Sequence, residues 1–376
     1  MWRWACLGVA VLVLGGCLAL PAAGQATIAG RVLDDSTGAP LPHSHVFVSH
    51  STIGTTADST GHFRLTNVPA GATRLYISHV GYEPQARDLL LRPDTTVRDT
   101  IRLRPTVIRE PAITVTAERD EEWYERLDRF RRLFIGPNLW PGDCTLLNPE
   151  VLRFDTAWWG KFEAAASRPL VLENRALGYR LTYHLREFEA QGDVVRWDGE
   201  PAFTPLTPRD STEARRWVEN RREAFRGSIR HFLLALLHDR LEEENFQIYR
   251  QPRARAFSRY GRPDQIPTSR DRVITLNDRP PHELRFNGRL VVVYEGEPEH
   301  PTYLEWGDLR RSPRDHQTSW IRLNESPVHI DRYGEVVEPY GATVYRYFAF
   351  TMRLANLLPK GYRPPADSAL TPIPPP

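Results

Sequence analysis

Between Thr27 and Glu83, short alternating segments are cut at regular intervals by turns rich in Gly, Pro and Asp. Ile28, Gly30 and Val32 alternate with Ala29, Arg31 and Leu33. Val46 and Val48 flank Phe47, and Phe63 and Leu65 flank Arg64. A period of two with one apolar face is what a half-buried strand requires. Thr37-Gly38-Ala39-Pro40, Asp58-Ser59-Thr60-Gly61 and Val68-Pro69-Ala70-Gly71 supply the tight turns. In such turns Gly takes positive φ freely, Asp bonds its own backbone and Pro fixes φ. With further strands expected at 75–80 and 96–103, this spacing predicts a β-sandwich.

A leader precedes it. Met1 to Gly24 carries one early charge at Arg3, an apolar run over 5–14 and small residues after it. That is the pattern of a secretion signal, too short to span a bilayer. Within it, Leu14-Gly15-Gly16-Cys17 resembles a bacterial lipobox, in which Cys17 would be lipidated and become the mature N-terminus. The alternative is ordinary cleavage after Ala22-Ala23-Gly24 or at Ala26, which discards Cys17. Either way the chain is expected to be exported, to the periplasm or the outer membrane, with membrane contact only through the N-terminal lipid.

Beyond the leader Cys144 alone remains, so no internal disulfide is available, and a small buried hydrophobe is its expected role. The net charge of +2 excludes a strongly basic nucleic-acid surface. Lys161 and Lys360 are the only lysines, so nearly all positive charge sits on arginine, which pairs with carboxylates through a planar fork.

From Glu118 the composition shifts to Glu, Arg and aromatics. Trp123, Leu127, Phe130 and Phe134 recur at helical spacing and predict a helix over 120–133, opening a second domain. Strands are expected at 177–188, 194–203, 272–276, 284–294, 319–323 and 327–330. Asp210 offers a cap for one long helix reaching about residue 243. A short helix over 345–358 and a proline-rich, disordered tail from 364 close the chain. The organisation expected is a leader at 1–24, an all-β sandwich at 25–105, a linker at 106–119 and an α+β domain at 120–363.

GRVLDDSTGAPLPHSHVFV, GTTADSTGHFRL, VPAG and SHVGYE together resemble the carboxypeptidase-regulatory-like domain over residues 27–104. The resemblance implies a transthyretin-like, non-catalytic sandwich of the kind found on envelope proteins of diderm bacteria. The segment 112–117 is similar to one preceding TonB-dependent barrels, but no long barrel pattern follows. FIGPNLWPGDCTLLNPEVL, PLVLENRALGYRLTYHL and WVENRREAFRGSIRHFLLALL are similar to the C-terminal region of carboxypeptidase-like regulatory domain-containing proteins, a likeness that implies no reaction.

Candidate site residues are few. His184-Leu185-Arg186-Glu187 has the His-x-x-Glu spacing of zinc carboxypeptidases, with His300 or His316 as a third ligand. On a regular strand, however, His184 and Glu187 face opposite sides. Ser228 and His231 lie three apart on a helix, with Arg230 between them, and a polar contact that docks the helix is the expected role. Trp158, Trp159, Trp197, Trp306 and Trp320 offer flat faces to sugar rings as readily as to a core. Adjacent Trp158 and Trp159 on a strand would put one ring outward. No cofactor motif or metal set stands out.

Two functional classes follow. One is a non-enzymatic envelope protein whose sandwich is a spacer or contact module and whose C-terminal domain binds a protein or glycan. The other is an envelope hydrolase, peptidase-like and zinc-dependent, acting on peptide or cell-wall material.

Overall fold

The computed structural model describes residues 24–106, 120–137, 139–140, 144–192, 194–252 and 265–365. The leader with Cys17, nearly all of the 106–119 linker and the tail beyond 365 lie outside the described residues.

The N-terminal unit is a β-sandwich. Its strands are β1 (Gln25–Asp34), β2 (His45–Val48), β3 (Gly54–Thr56), β4 (His62–Pro69), β5 (Gly71–Ser78), β6 (Gln85–Leu91) and β7 (Thr96–Leu103). One sheet runs β4-β1-β7, with β1 antiparallel to β4 and parallel to β7, and the other runs β3-β2-β5-β6. Ile28 and Val32 of the first sheet meet Val46, Leu75 and Ile77 of the second, all fully buried. The alternation read from the sequence is what places these residues on facing sides.

The C-terminal region begins with α1 (Glu121–Phe130), where the Asp120 carboxylate accepts from the Trp123 N–H and Glu121 and Glu122 occupy the first turn. Acidic groups there favour the helix N-terminus. A single π turn, Arg131–Ile135, carries the apolar stripe on to Phe134. A sheet follows: β8 (Cys144–Leu146), β9 (Leu152–Thr156), β10 (Phe162–Ala166), β11 (Leu170–Asn174), β12 (Tyr179–Gln191) and β13 (Val194–Pro205). The long β12 is its spine, pairing β11 and β10 along one edge and β13 along the other.

Residues 211–243 form two helices instead of one, α2 (Ser211–Phe225) and α3 (Ile229–Leu237). Gly227 breaks the run with φ +64°, where an added Cβ would lie 2.2 Å from Gln317 Oε1. The pattern of apolar residues continues across this break, which is why it reads as one helix. Phe232, Leu234 and Leu236 of α3 are fully buried, so this helix packs on all sides. Burial of each such side chain contributes about 1.5–3 kcal/mol.

The remaining elements are β14 (Phe246–Gln251), β15 (Ile266–Pro267), β16 (Ile274–Thr275), β17 (His282–Leu284), β18 (Arg289–Tyr294), α4 (Pro301–Trp306), β19 (Gln317–Leu323), β20 (Val328–Ile330), β21 (Ala342–Arg346) and α5 (Tyr347–Thr351). They build a sheet β15-β14-β18-β19-β21 and a smaller one, β16-β17-β20. The expected helix over 345–358 is corrected: strand β21 ends at Arg346, where φ is +64°, and only five residues of α-helix follow. Phe232 and Leu236 of α3 share one hydrophobic core with Leu181 of the first sheet and Leu290 and Ile321 of the second.

Candidate functional site

Trp158 and Trp159 stand at the tip of the β9–β10 hairpin. The Gly160 N–H donates to Ala157 O at 2.8 Å and the Ala157 N–H to Lys161 O at 2.9 Å, closing a tight turn. Gly160 has φ +87°, which the turn requires and glycine adopts freely. The strand alternation expected for this pair is therefore corrected: both residues are in the turn, and both rings are exposed, Trp158 by 92% and Trp159 by 55%. Their centroids are 5.4 Å apart with the planes at 87°, so one ring edge meets the other's face. Two large apolar faces thus stand side by side in water.

Beside the tip is an ordered polar group. Lys161 Nζ lies 2.6 Å from Glu163 Oε1 and 2.9 Å from Glu189 Oε2, and Arg196 Nη1 lies 3.3 Å from Glu189 Oε1. Hydrogen bonds to Glu163 and Glu189 raise the Lys161 ammonium above its ordinary value, keeping it charged. Phe162 pairs with Ala190 across β10 and β12, which brings the hairpin tip next to the β12–β13 turn.

The other candidate residues occupy different places. Ser228 Oγ–H donates to Phe225 O at 2.6 Å, and the same oxygen accepts from the His231 N–H, capping α3. His231 Nδ1 accepts from the Gly227 N–H at 3.2 Å, leaving Nε2 to donate to Glu244 at 3.1 Å. The imidazole thus points away from the serine. Arg230 is buried and donates to Leu358 O and Pro359 O, at 3.3 and 2.9 Å. Trp197 and Trp306 both pack on the Arg353 guanidinium, while Arg346 lies 3.9 Å above Trp320. Cys144 is half-buried at the end of β8, with its thiol pushed up to about 12 by burial.

His184 and Glu187 require a further correction. A bulge between Leu185 and Glu187 leaves His184 opposite Glu200 and Glu187 opposite Asp198, so both point to one side of β12. They are engaged separately: the His184 ring lies 4.9 Å from Tyr76, whereas Glu187 accepts from the Tyr340 hydroxyl at 3.0 Å. His300 Nδ1 caps α4, and His316 lies beside Asp315. Among the described residues, no three His, Cys, Asp or Glu side chains gather as a metal site would require.

His184 belongs to a seam that sequence reasoning missed. The outer face of the β3-β2-β5-β6 sheet lies against the C-terminal region. Phe47 stacks on His184 and Tyr76 meets it at a tilt, and Glu200, only 2% exposed, accepts from Ser49 Oγ–H and from Arg74 Nε at 2.9 Å. Arg186 Nη2 reaches the same carboxylate at 3.2 Å. The His50 N–H donates to Pro201 O and the Phe203 N–H to Ser51 O, at 2.9 and 3.0 Å, so residues 50 and 51 extend the edge of β13. The Lys360 N–H donates to His50 O, and Arg332 Nη1 to Ala70 O at 3.1 Å. Desolvation in the seam, helped by the charge of Lys360, lowers His50 to about 4. Burial likewise lowers His184 to about 4. No local signal marks these residues, although Lys360 is one of only two lysines.

The comparisons with known proteins bear on the sandwich. The carboxypeptidase regulatory-like domain model matches residues 27–104, and no curated protein matches the chain. A cohesin–X-dockerin complex from Acetivibrio cellulolyticus shares 23% identity over 21% of this chain and 58% of that chain, with a TM-score of 0.19. 3-Chlorocatechol 1,2-dioxygenase from Rhodococcus opacus shares 13% identity over 23% of this chain and 61% of that one, with a TM-score of 0.20. A carbohydrate-binding protein, so described, from Bacteroides uniformis shares 14% identity over 50% of this chain and 69% of that one, with a TM-score of 0.19. TM-scores this low carry no argument about function. Among the described residues, no helix is long and apolar enough to cross a membrane. Residues 27–104 are a carboxypeptidase regulatory-like domain, a β-sandwich joined to a mostly β C-terminal region.

Proposed function

We propose that this chain is a binding protein of the cell envelope, exported to the periplasm or the outer membrane, whose C-terminal region captures a glycan through the β9–β10 hairpin. The observation that carries this reading is the solvent exposure of Trp158 and Trp159 together at one turn. Indole faces suit the C–H surfaces of pyranose rings, and a T-shaped pair presents two such faces in different directions. Lys161, Glu163, Glu189 and Arg196 supply an ordered polar rim for hydroxyl groups. In this reading the sandwich is a rigid mount, because the seam at Glu200 and His50 fixes it to the sheet that bears the hairpin.

The test is capture by cross-linking in intact cells, with proteins and saccharides both analysed. The W158A/W159A variant should lose saccharide capture while retaining its melting temperature. Equal capture by the variant would overturn the reading, and a single stoichiometric protein lost with the tryptophans would replace glycan by protein as the partner.

A further inference from the structure

The sandwich has a second outer face, on the β4-β1-β7 sheet, turned away from the sheet that meets the C-terminal region. Register and alternation give its composition. Ala29 of β1 lies between Arg64 of β4 and Arg98 of β7. Arg31 lies between His62 and Thr100, and Leu33 is paired with Arg102. Four arginines therefore project from three adjoining strands.

Arg64, Arg98 and Arg102 are exposed and Arg31 is half-exposed; among the described residues none of the four has a carboxylate partner. Arg31 Nε is held by Thr60 O at 2.8 Å. Ala29, being small, leaves a shallow cleft of about 490 Å³ between the Arg31, Arg64 and Arg98 side chains. Asp99 also lines it but is in register with Gly30, so alternation turns its carboxylate to the other side of the sheet. In a chain that pairs so many of its arginines with Asp and Glu, four like charges left together on one sheet face repel one another and call for an anionic occupant.

We infer that this face docks on an anionic lipid surface, with the phosphate of a headgroup seated in the cleft over Ala29. Two features favour a membrane over an acidic glycan. The face is the broad side of an open sheet with only a shallow cleft in it, and its outward positions on β1, β4 and β7 carry no Trp, Tyr or Phe on which a sugar ring could stack. Guanidinium groups near a negatively charged leaflet attract it additively, without needing a fixed stereochemistry. The sandwich then works with two faces, one holding the C-terminal region and one lying on lipid, and this inference is independent of the glycan reading of the hairpin.

The experiment is co-sedimentation of the chain from Gly24 onward, which keeps every described element, with phosphatidylcholine vesicles with and without phosphatidylglycerol. Binding is expected only to vesicles that contain phosphatidylglycerol, and it should weaken steeply with added salt. R31Q/R64Q/R98Q should weaken it about a hundredfold, whereas R31K/R64K/R98K should retain most of it, because a leaflet reads charge. W158A/W159A should leave it unchanged, which separates this inference from the hairpin reading. The melting temperature of the glutamine variant controls for folding. Absence of wild-type binding, or undiminished binding by a folded glutamine variant, would overturn the inference. So would retention by a soluble polyuronate with none by vesicles, which would assign the face to an acidic glycan.

Discussion

Replacing Glu200 by leucine removes the acceptor that joins the two parts of the molecule. In the native protein this carboxylate is 2% exposed and receives Ser49, Arg74 and Arg186. The Ser49 hydroxyl, itself buried, would be left without its acceptor, at a cost of about 1–3 kcal/mol. The Arg74 and Arg186 side chains are 40% and 38% exposed, so they rehydrate in part. Their loss therefore adds less than the ~3–5 kcal/mol of a fully buried pair. A total of about 3 kcal/mol corresponds to about a hundredfold in the docked-to-undocked equilibrium. Amide hydrogen exchange reads this directly at His50, Phe203 and Lys360, whose N–H groups donate across or along the seam. E200L should lower protection at these amides about a hundredfold, while Val46 and Ile77, deep in the sandwich core, keep theirs. E200Q, which still accepts hydrogen bonds, should fall between. Unchanged protection in E200L, or an equal loss at core amides, would refute a seam held by this carboxylate.

Three further outcomes are expected. His50 and His184 are held near 4 in the folded seam against an ordinary value near 6.5, so the unfolded chain binds more protons between these limits. Their contribution is full above pH ~6.5 and is lost as pH falls towards ~4, so seam amides should lose protection, after correction for intrinsic exchange, over that window. A flat response there would contradict the assignment. G227A forces a side chain into φ +64° with its Cβ 2.2 Å from Gln317 Oε1, and should cost about 2 kcal/mol or more in urea unfolding; a neutral effect would rule out the tight break between α2 and α3. S228A removes the cap of α3 and should cost about 1 kcal/mol by the same measurement, with no loss expected if the hydroxyl served another purpose.

How legible these features were depends on their range in sequence. The turns around Gly38, Gly61 and Gly71 each act within four residues, so five of the seven sandwich strands could be read, whereas the short β3 and β6, whose Gln85–Leu91 run shows no clean alternation, could not. Breaks set by a single backbone angle were less visible. Gly227 interrupts an unbroken apolar pattern, and Arg346 ends β21 at φ +64° although nothing in its side chain favours that angle. The bulge beside Arg186 inverted the predicted facing of His184 and Glu187, because one extra residue reverses alternation. Trp158 and Trp159 were visible as a pair but not as a turn, since the Gly160 that closes the hairpin follows them. The seam was illegible, because Ser49 meets Glu200 across 151 residues and neither carries a local pattern.

The most direct measurement of the central claim is fluorine NMR of the chain labelled with 5-fluorotryptophan, titrated with saccharides released from the envelope. W158F and W159F assign the two hairpin signals. The glycan reading predicts that these two signals shift and saturate together, while those of Trp217, buried beneath Arg175, and of Trp320, covered by Arg346, stay in place. Shifts confined to other tryptophans, or none with any saccharide fraction, would contradict it.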